Sequence, residues 1–101
     1  MQAAEQYGIE HGWIERRRLW ALPMYDDLLD WPGARTWLRL ERTFTDKRTG
    51  KNSVELDYAL SSLGLDQSSA EDFLTFGVIT RSIKSRGDLM TRLPTALRQL
   101  R

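Results

Sequence analysis

The stretch Trp31–Leu63 decides the fold, and it reads WPGARTWLRLERTFTDKRTGKNSVELDYALSSL. Apolar side chains recur at even positions in both halves of this stretch, with polar ones between them. The apolar set is Leu38, Leu40, Phe44, Val54, Leu56, Tyr58 and Leu60. A period of two is typical of half-buried strands, and a charged turn that ends in Gly50 separates the two halves. The stretch therefore predicts a β-hairpin with one apolar face, on which Arg42 is the exception, placed near an edge.

The segments before this hairpin predict one more strand. Residues 12–22 contain tryptophan, isoleucine and leucine side chains that suit a strand, and Pro23 ends the pattern. We expect this strand to pair with the hairpin, which gives a three-stranded antiparallel sheet over about residues 12–22, 35–45 and 52–62. Residues 1–11 are polar and predict a frayed helix or a loop.

The pattern after residue 63 is typical of helices. Ser68 and Glu71 have the spacing of a capping box, which predicts a helix start. Further leucines recur at helical spacing, namely Leu89, Leu93, Leu97 and Leu100. Because Pro94 suits a first helical turn, a last helix is expected to begin near Leu93. The sequence thus predicts an α+β fold, with a β-rich piece over residues 1–63 and one or two helices in a tail over residues 64–101.

Composition limits the classes of function. The chain has 101 residues, a formal net charge of +1 and 41% hydrophobic residues, which is ordinary for one small globular domain. The absence of cysteine excludes disulfides and thiolate metal sites, and the N-terminal residues lack the basic and apolar run of a signal peptide. No apolar run approaches the roughly 20 residues that span a bilayer. We therefore expect a cytoplasmic protein away from membranes, and no motif predicts a small-molecule substrate.

Two groups of basic residues are the candidate nucleic-acid contacts. They are the strand residues Arg16, Arg17 and Arg18 and the turn residues Lys47, Arg48 and Lys51. Lysine and arginine side chains bind DNA phosphates without reading the base sequence, so this set predicts DNA as a partner. The alternative is a solvated strand face and turn, where cations discourage edge pairing.

Other chemistry-bearing residues have a structural interpretation that we favour. The acidic cluster Asp26, Asp27 and Asp30 has the ligand type for Mg²⁺, but no further ligand lies near it and Asp is a common helix cap. His11 is the only histidine and has no adjacent nucleophile, so it predicts no catalytic triad. Tryptophans can stack on bases, although in a small sheet they more often pack the core. The tryptophans are Trp13, Trp20, Trp31 and Trp37. We expect no metal site in this chain.

The order of motifs resembles one protein family. The segment HGWIERR at residues 11–17 resembles the His-Gly-x-Ile-Glu-x-Arg strand of bacterial insertion-sequence transposases of the ISAs type, in the DDE (RNase H-like) group. The Trp-Pro-Gly turn, a Glu-Arg pair and the segment GKNSVELDYALSSL at residues 50–63 look like later motifs of that family, in the same order. The matched positions are His11, Gly12, Ile14, Glu15, Trp31, Pro32, Gly33, Glu41, Arg42, Tyr58, Ser61 and Ser62.

The resemblance implies a partial RNase H-like domain from an enzyme of DNA transposition and DNA recombination. In that family three carboxylates, Asp, Asp and Glu, bind Mg²⁺ ions that activate attack on a DNA phosphodiester, so that DNA is cut and joined. Both aspartates precede the His-Gly strand, and the glutamate follows the Ser-Ser-Leu motif in a His-Trp-x-Ile-Glu-Asn helix. Here residues 76–84 read FGVITRSIK instead, and Asp57 and Ala59 also depart from the family pattern. We therefore expect a remnant cut at both ends, with no catalytic residue and no cofactor of its own; Mg²⁺ is expected only in a complete relative.

Two interpretations stay open from the sequence. The first is an inactive transposase fragment that contacts DNA through its basic residues. In this interpretation a frameshift near Phe76 explains why the resemblance stops there, and residues 78–101 were never selected to fold. The second is a stand-alone small α+β binding module for nucleic acid or protein. A fragment predicts a broad thermal transition, whereas a module predicts a cooperative one.

Overall fold

A computed structural model describes residues 1–25, 32–76, 80–82 and 90–100. The strands are β1 (Gln2–Glu10), β2 (Trp13–Pro23), β3 (Thr36–Asp46), β4 (Asn52–Ser61) and β5 (Thr80–Ser82). The helices are α1 (Ala70–Phe76) and α2 (Thr95–Arg98). All strands belong to one antiparallel sheet in the order β1-β2-β3-β4-β5. The prediction of an α+β fold, with an antiparallel sheet followed by short helices, is confirmed.

The three predicted strands are present as β2, β3 and β4, but the sheet is larger than predicted. β5 adds a three-residue strand beside β4. The prediction of a frayed helix or loop for residues 1–11 is wrong, because β1 pairs with β2 along its whole length. The cause is the two-residue turn at His11 and Gly12, whose φ angles of 48° and 83° are both positive, as a type I′ hairpin turn requires. This turn folds β1 directly back onto β2.

The register between β3 and β4 places the apolar residues of the two strands on opposite faces of the sheet. Leu38 lies opposite Ala59, and Trp37 lies opposite Leu60, so an even-numbered residue of β3 faces an odd-numbered residue of β4. Directly opposed residues share a face, so Leu38 lies on one face and Leu60 on the other. The prediction of a hairpin with a single apolar face is therefore wrong. Each face of this sheet carries a buried cluster, and β2, β3 and β4 contribute residues to both clusters.

The face that carries Leu38, called here the α1 face, is covered by the first helix. The buried cluster on this face consists of Leu19, Ala21, Leu38, Ala70, Phe73 and Leu74. The Ser69 hydroxyl accepts a hydrogen bond from the Asp72 N–H at 3.1 Å, and the Asp72 carboxylate accepts one from the Ser69 N–H at 3.2 Å. The capping box therefore lies one residue later than predicted. The side chain of Gln2 also accepts a hydrogen bond from the Ala70 N–H, which satisfies a further donor at this helix start.

The opposite face, called here the C-terminal face, is covered by the last described segment. The buried cluster on this face consists of Trp37, Tyr58, Leu60, Leu93 and Leu97. The last helix was expected to begin near Leu93, and it begins two residues later, at Thr95. Pro94 is the N-cap with an extended ψ of 139° and disfavours a helical conformation in the residue before it. Leu89 lies outside the described residues. Among the residues that the structure describes, no helix is long and apolar enough to cross a membrane.

The covering layers lie over only part of the sheet. The other part, called here the hairpin half, lies toward the His11-Gly12 turn and the turn at residues 47–51. Tyr7 is 67% exposed and Ile9 is 69% exposed there. The described fold is correspondingly elongated, with a longest extent of 47 Å and a radius of gyration of 14.5 Å, against about 13 Å for a compact domain of this length.

Candidate nucleic-acid interface

The arginine run of β2 is divided between the two faces of the sheet, because successive strand residues point to opposite sides. Arg16 and Arg18 lie on the C-terminal face, and Arg17 lies on the α1 face. Arg17 donates a hydrogen bond to the Gln6 side chain at 2.7 Å, and its Nε lies 3.9 Å from Glu15. The structure therefore does not bring the three arginines together into one basic patch.

Arg16 is engaged by the neighbouring edge strand. Its guanidinium donates two hydrogen bonds to the Glu5 carboxylate, at 2.9 and 3.3 Å, and lies 5.9 Å from the centre of the Tyr7 ring. The Tyr7 hydroxyl and the Arg16 guanidinium both lower the pKa of the Glu5 carboxyl below its usual value. The same hydrogen bonds to Glu5 raise the pKa of Tyr7 and of Arg16. The positive charge of Arg16 is thus already matched by a carboxylate.

Arg18 forms an ion pair with a glutamate of the neighbouring strand β3. Its Nη2 donates to the Glu41 carboxylate at 2.9 Å, and its guanidinium lies 4.9 Å from the centre of the Trp20 ring. Both members of this ion pair are less than a quarter exposed. A phosphate would have to displace Glu41 to reach Arg18, so this arginine has a structural role.

Arg39 is a charged residue that is buried in the core, and the sequence analysis did not predict its burial. Its residue is only 6% exposed, and its side chain lies between the rings of Trp20 and Tyr58, at 5.3 and 5.8 Å from their centres. Its Nη1 donates to the Leu97 carbonyl at 2.7 Å, and its Nη2 lies 3.8 Å from Glu41. Arg39 therefore joins the sheet to the C-terminal segment. Arg39 lies directly opposite Trp20 of β2 and Tyr58 of β4. Its burial could have been predicted from this strand register, but the alternation of apolar and polar residues does not give the register.

Lys47, Arg48 and Lys51, called here the basic tip, are exposed at the end of the hairpin half. The turn that carries them is held by Asp46, which accepts hydrogen bonds from the N–H of Gly50 and, through its carboxylate, from the N–H of Arg48, both at 2.8 Å. Gly50 has a φ of 73°, a conformation that glycine adopts without strain. Within the described ranges, these three side chains form no ion pair. They are therefore cations that can bind phosphate without breaking an existing contact.

The turn between β1 and β2 lies beside the basic tip. The Lys47 N–H donates to the Gly12 carbonyl at 3.0 Å, which joins the two turns. An open depression of about 470 Å³ lies next to them, lined by Gly8, Ile9, His11, Trp13, Glu15, Phe44 and Ser53. The Trp13 residue is 46% exposed, whereas Trp37 is buried as we predicted for tryptophans that pack the sheet. An exposed indole beside cations is an arrangement on which an unpaired base can stack.

Several of the residues that match the transposase motifs have a structural role in the fold. Gly12 and Gly33 have φ angles of 83° and 86°, and each lies in a turn. Ser61 is buried, and its hydroxyl accepts a hydrogen bond from the Leu63 N–H at 3.1 Å. The others lie in β2, in β3, in β4 or in the turns, namely His11, Ile14, Glu15, Pro32, Glu41, Arg42, Tyr58 and Ser62. Trp31 lies outside the described residues.

The acidic cluster of the sequence is not part of the described structure. Asp26, Asp27 and Asp30 lie between its first and second described ranges. Among the described residues, no group of three or more His, Asp or Glu side chains lies close enough to hold a metal ion. The candidate interface is therefore formed by cations and an aromatic ring.

Fold and site together define a small α+β protein whose antiparallel sheet ends in a basic tip. Comparisons with protein-family models, with curated proteins and with solved structures find no match to this chain.

Proposed function

We propose that this chain is the β-rich segment of a DDE-type insertion-sequence transposase, lacks the family's catalytic carboxylates, and contacts DNA phosphates through its basic tip. The observation that carries the proposal is the coincidence of the resemblance with one continuous antiparallel meander. The matched residues that the structure describes are 13–17 of β2, the turn residues 11–12 and 32–33, Glu41 and Arg42 of β3, and all of β4. The tip follows the last residue of β3.

The turn residues support the family part of the proposal. Among the described residues, Gly12, Gly33 and Gly50 are the glycines with a positive φ, and each lies in a turn or at its end. These positions belong to three different motifs of the resemblance. Glycine is favoured at a positive φ in any protein, so the support for the family comes from the position of all three glycines within motifs of the resemblance.

The distribution of ion pairs supports the proposed contact with DNA and reduces the number of basic residues that could make it. Arg16 and Arg18 are bound to Glu5 and Glu41, so they are poor candidates for phosphate contacts. Lys47, Arg48 and Lys51 remain as an exposed cluster of the same sign. Phosphate contacts of this kind give sequence-independent and salt-dependent affinity.

Fluorescence anisotropy with labelled double-stranded DNA tests the interface. With three phosphate contacts, log Kobs should fall with log salt with a slope of about −3, and the Kd should lie near 10⁻⁴ to 10⁻⁶ M, on the order expected for non-specific binding. The double variant K47Q/R48Q should reduce the slope to about −1. The control R92Q/R98Q removes two exposed charges from the C-terminal segment and should leave the slope unchanged.

Two outcomes of this experiment would overturn the DNA part of the proposal. Equal loss of affinity in both double variants would mean that only net charge matters. A slope unchanged in K47Q/R48Q would mean that the tip does not touch the phosphates.

The second candidate function is a stand-alone binding module for nucleic acid or protein, and a specific observation favours it. Leu93 and Leu97 are buried on one face, and Phe73 and Leu74 on the other, so the tail covers both sides of the sheet. A domain that closes its own core should unfold in one cooperative transition. Calorimetry separates the candidates, since coincident calorimetric and van't Hoff enthalpies favour the module and a broad transition favours the fragment.

A further inference from the structure

The outer edge of β1 is open for pairing, and the hydrogen bonds of the sheet show which of its groups are available. Lys47 N–H donates to the Gly12 carbonyl, and Met24 N–H donates to the Arg35 carbonyl, so even-numbered residues along β2 bond to β3. Odd-numbered residues of β2 therefore bond to β1, where their partners are even-numbered. The backbone N–H and C=O groups that point outward from the sheet are consequently those of Ala3, Glu5, Tyr7 and Ile9. Within the described residues, β1 is an edge strand of the sheet.

We propose that β1 pairs with β1 of a second copy of this chain, antiparallel and across a two-fold axis at Gln6. This pairing continues the two sheets into one. The inference uses β1 and its neighbours alone and does not rest on the proposed function.

The register follows from which groups point outward. Outward residues are odd-numbered, so an odd residue of one copy must face an odd residue of the other. With the axis at Gln6, Ala3 faces Ile9 and Glu5 faces Tyr7, and all nine residues of β1 are paired. Moving the axis by one residue, to Glu5 or to Tyr7, shortens the overlap. An axis at Glu5 also places two glutamates directly opposite each other, which is destabilising.

The side chains of β1 permit this approach. The strand reads QAAEQYGIE and contains no lysine, arginine or proline, the residues that commonly protect an edge. Its carboxylate at Glu5 is already neutralised by Arg16. The helix α1 contacts both β1 and β2, so it lies over this pair of strands, and the outward-bonding residues Ala3, Glu5, Tyr7 and Ile9 are exposed. The exposed Tyr7 and Ile9 would each gain a cross-strand neighbour from the second copy.

A single cysteine tests the register, because the chain has no other cysteine and any disulfide must join two copies. In the Q6C variant the two residues face each other as a non-hydrogen-bonded pair, with Cα atoms about 4.5 Å apart, inside the range for a disulfide. The control G8C adds a thiol where a Cβ meets no atom within 4 Å. Its two thiols belong to residues displaced by four positions, or about 13 Å, which is too far to bridge.

Mild oxidation should therefore convert Q6C, and not G8C, to a covalent dimer of twice the 11.8 kDa chain mass. Cross-linking of G8C instead, or of both variants equally, overturns the proposal, since the first indicates another register and the second indicates random collision.

A charge substitution at Tyr7 provides a second test that does not depend on cysteine or on Gln6. In the dimer this residue faces Glu5 of the other copy, whereas within one chain it faces Arg16. Y7E should therefore weaken the dimer, and Y7K should strengthen it. Sedimentation equilibrium should give a wild-type Kd on the order of micromolar, raised about tenfold in Y7E and lowered in Y7K. A monomeric mass at all protein concentrations would show that β1 does not pair with a second copy, and this result overturns the proposal.

Discussion

Arg39 is a charged residue that joins the sheet to the C-terminal segment. Its guanidinium is enclosed by Trp20 and Tyr58 and donates to the Leu97 carbonyl. A buried charge of this kind is costly unless it is paired, and here Glu41 is 3.8 Å away. The planar guanidinium can stack and donate at the same time, which a lysine ammonium cannot do.

Replacement of Arg39 by methionine should lower the free energy of unfolding by about 2 kcal/mol, because the buried Leu97 carbonyl loses its donor while the volume of the side chain is kept. The matched control is R42M on the same strand. Arg42 also pairs with a glutamate, Glu55 at 2.8 Å, but its side chain is 38% exposed, so we expect a loss below about 1 kcal/mol. Urea unfolding of both variants measures the difference. Equal losses would show that Arg39 behaves as an ordinary surface pair.

The C-terminal segment is the element whose role separates the two interpretations of the tail. Leu97 is 0% exposed and lies against the cluster that contains Trp37 and Leu60. Truncation of a fully buried leucine removes its burial and leaves a cavity. A tail that was never selected to fold has no such site to lose.

L97A should therefore destabilise the protein by about 2–5 kcal/mol if the segment is part of the fold. Leu100 is only partly buried beside the same cluster, so L100A should cost clearly less. The urea midpoint measures both effects. No loss of stability in L97A would support the frameshift hypothesis, in which the leucine spacing of the tail is chance.

At this scale the strands could be predicted from the sequence and their register could not. Alternation within β3 and β4 is strong, so both strands were located from residues such as Leu38 and Leu60. Register is set by pattern only when one face is buried, and here both faces are covered by segments that are distant in the sequence. Strand β1 has small and polar residues at most positions, so its formation depends on the His11-Gly12 turn and on pairing with β2.

The candidate site could be predicted only in part, because the sequence locates the turn but does not show the partners of the basic residues. The basic tip lies in a turn that the sequence marks with Gly50, and its side chains are exposed as we expected. The strand predicted over residues 12–22 already implies that Arg17 and Arg18 point to opposite faces, but it does not show which side chains pair with them. Their partners Gln6 and Glu41 lie on other strands, and only the fold brings them close.

In the part of the chain that the structure describes, the sheet is covered at one end and open at the other. The covered end contains both buried clusters, and the open end carries the basic tip, the exposed Trp13 and the unpaired edge of β1. The tip lies in the turn between β3 and β4, whereas the edge belongs to β1, which β2 separates from β3. A larger protein or a second copy can use an open sheet of this kind.

The nucleotide sequence of the gene and its flanks tests the proposed family most directly. The account predicts upstream codons for a strand that ends in Asp, and codons for His-Trp-x-Ile-Glu-Asn either downstream or in a neighbouring frame near Phe76. Both findings together would establish that the chain derives from a transposase gene. Their absence from every frame on both sides would contradict the account and favour a stand-alone binding module.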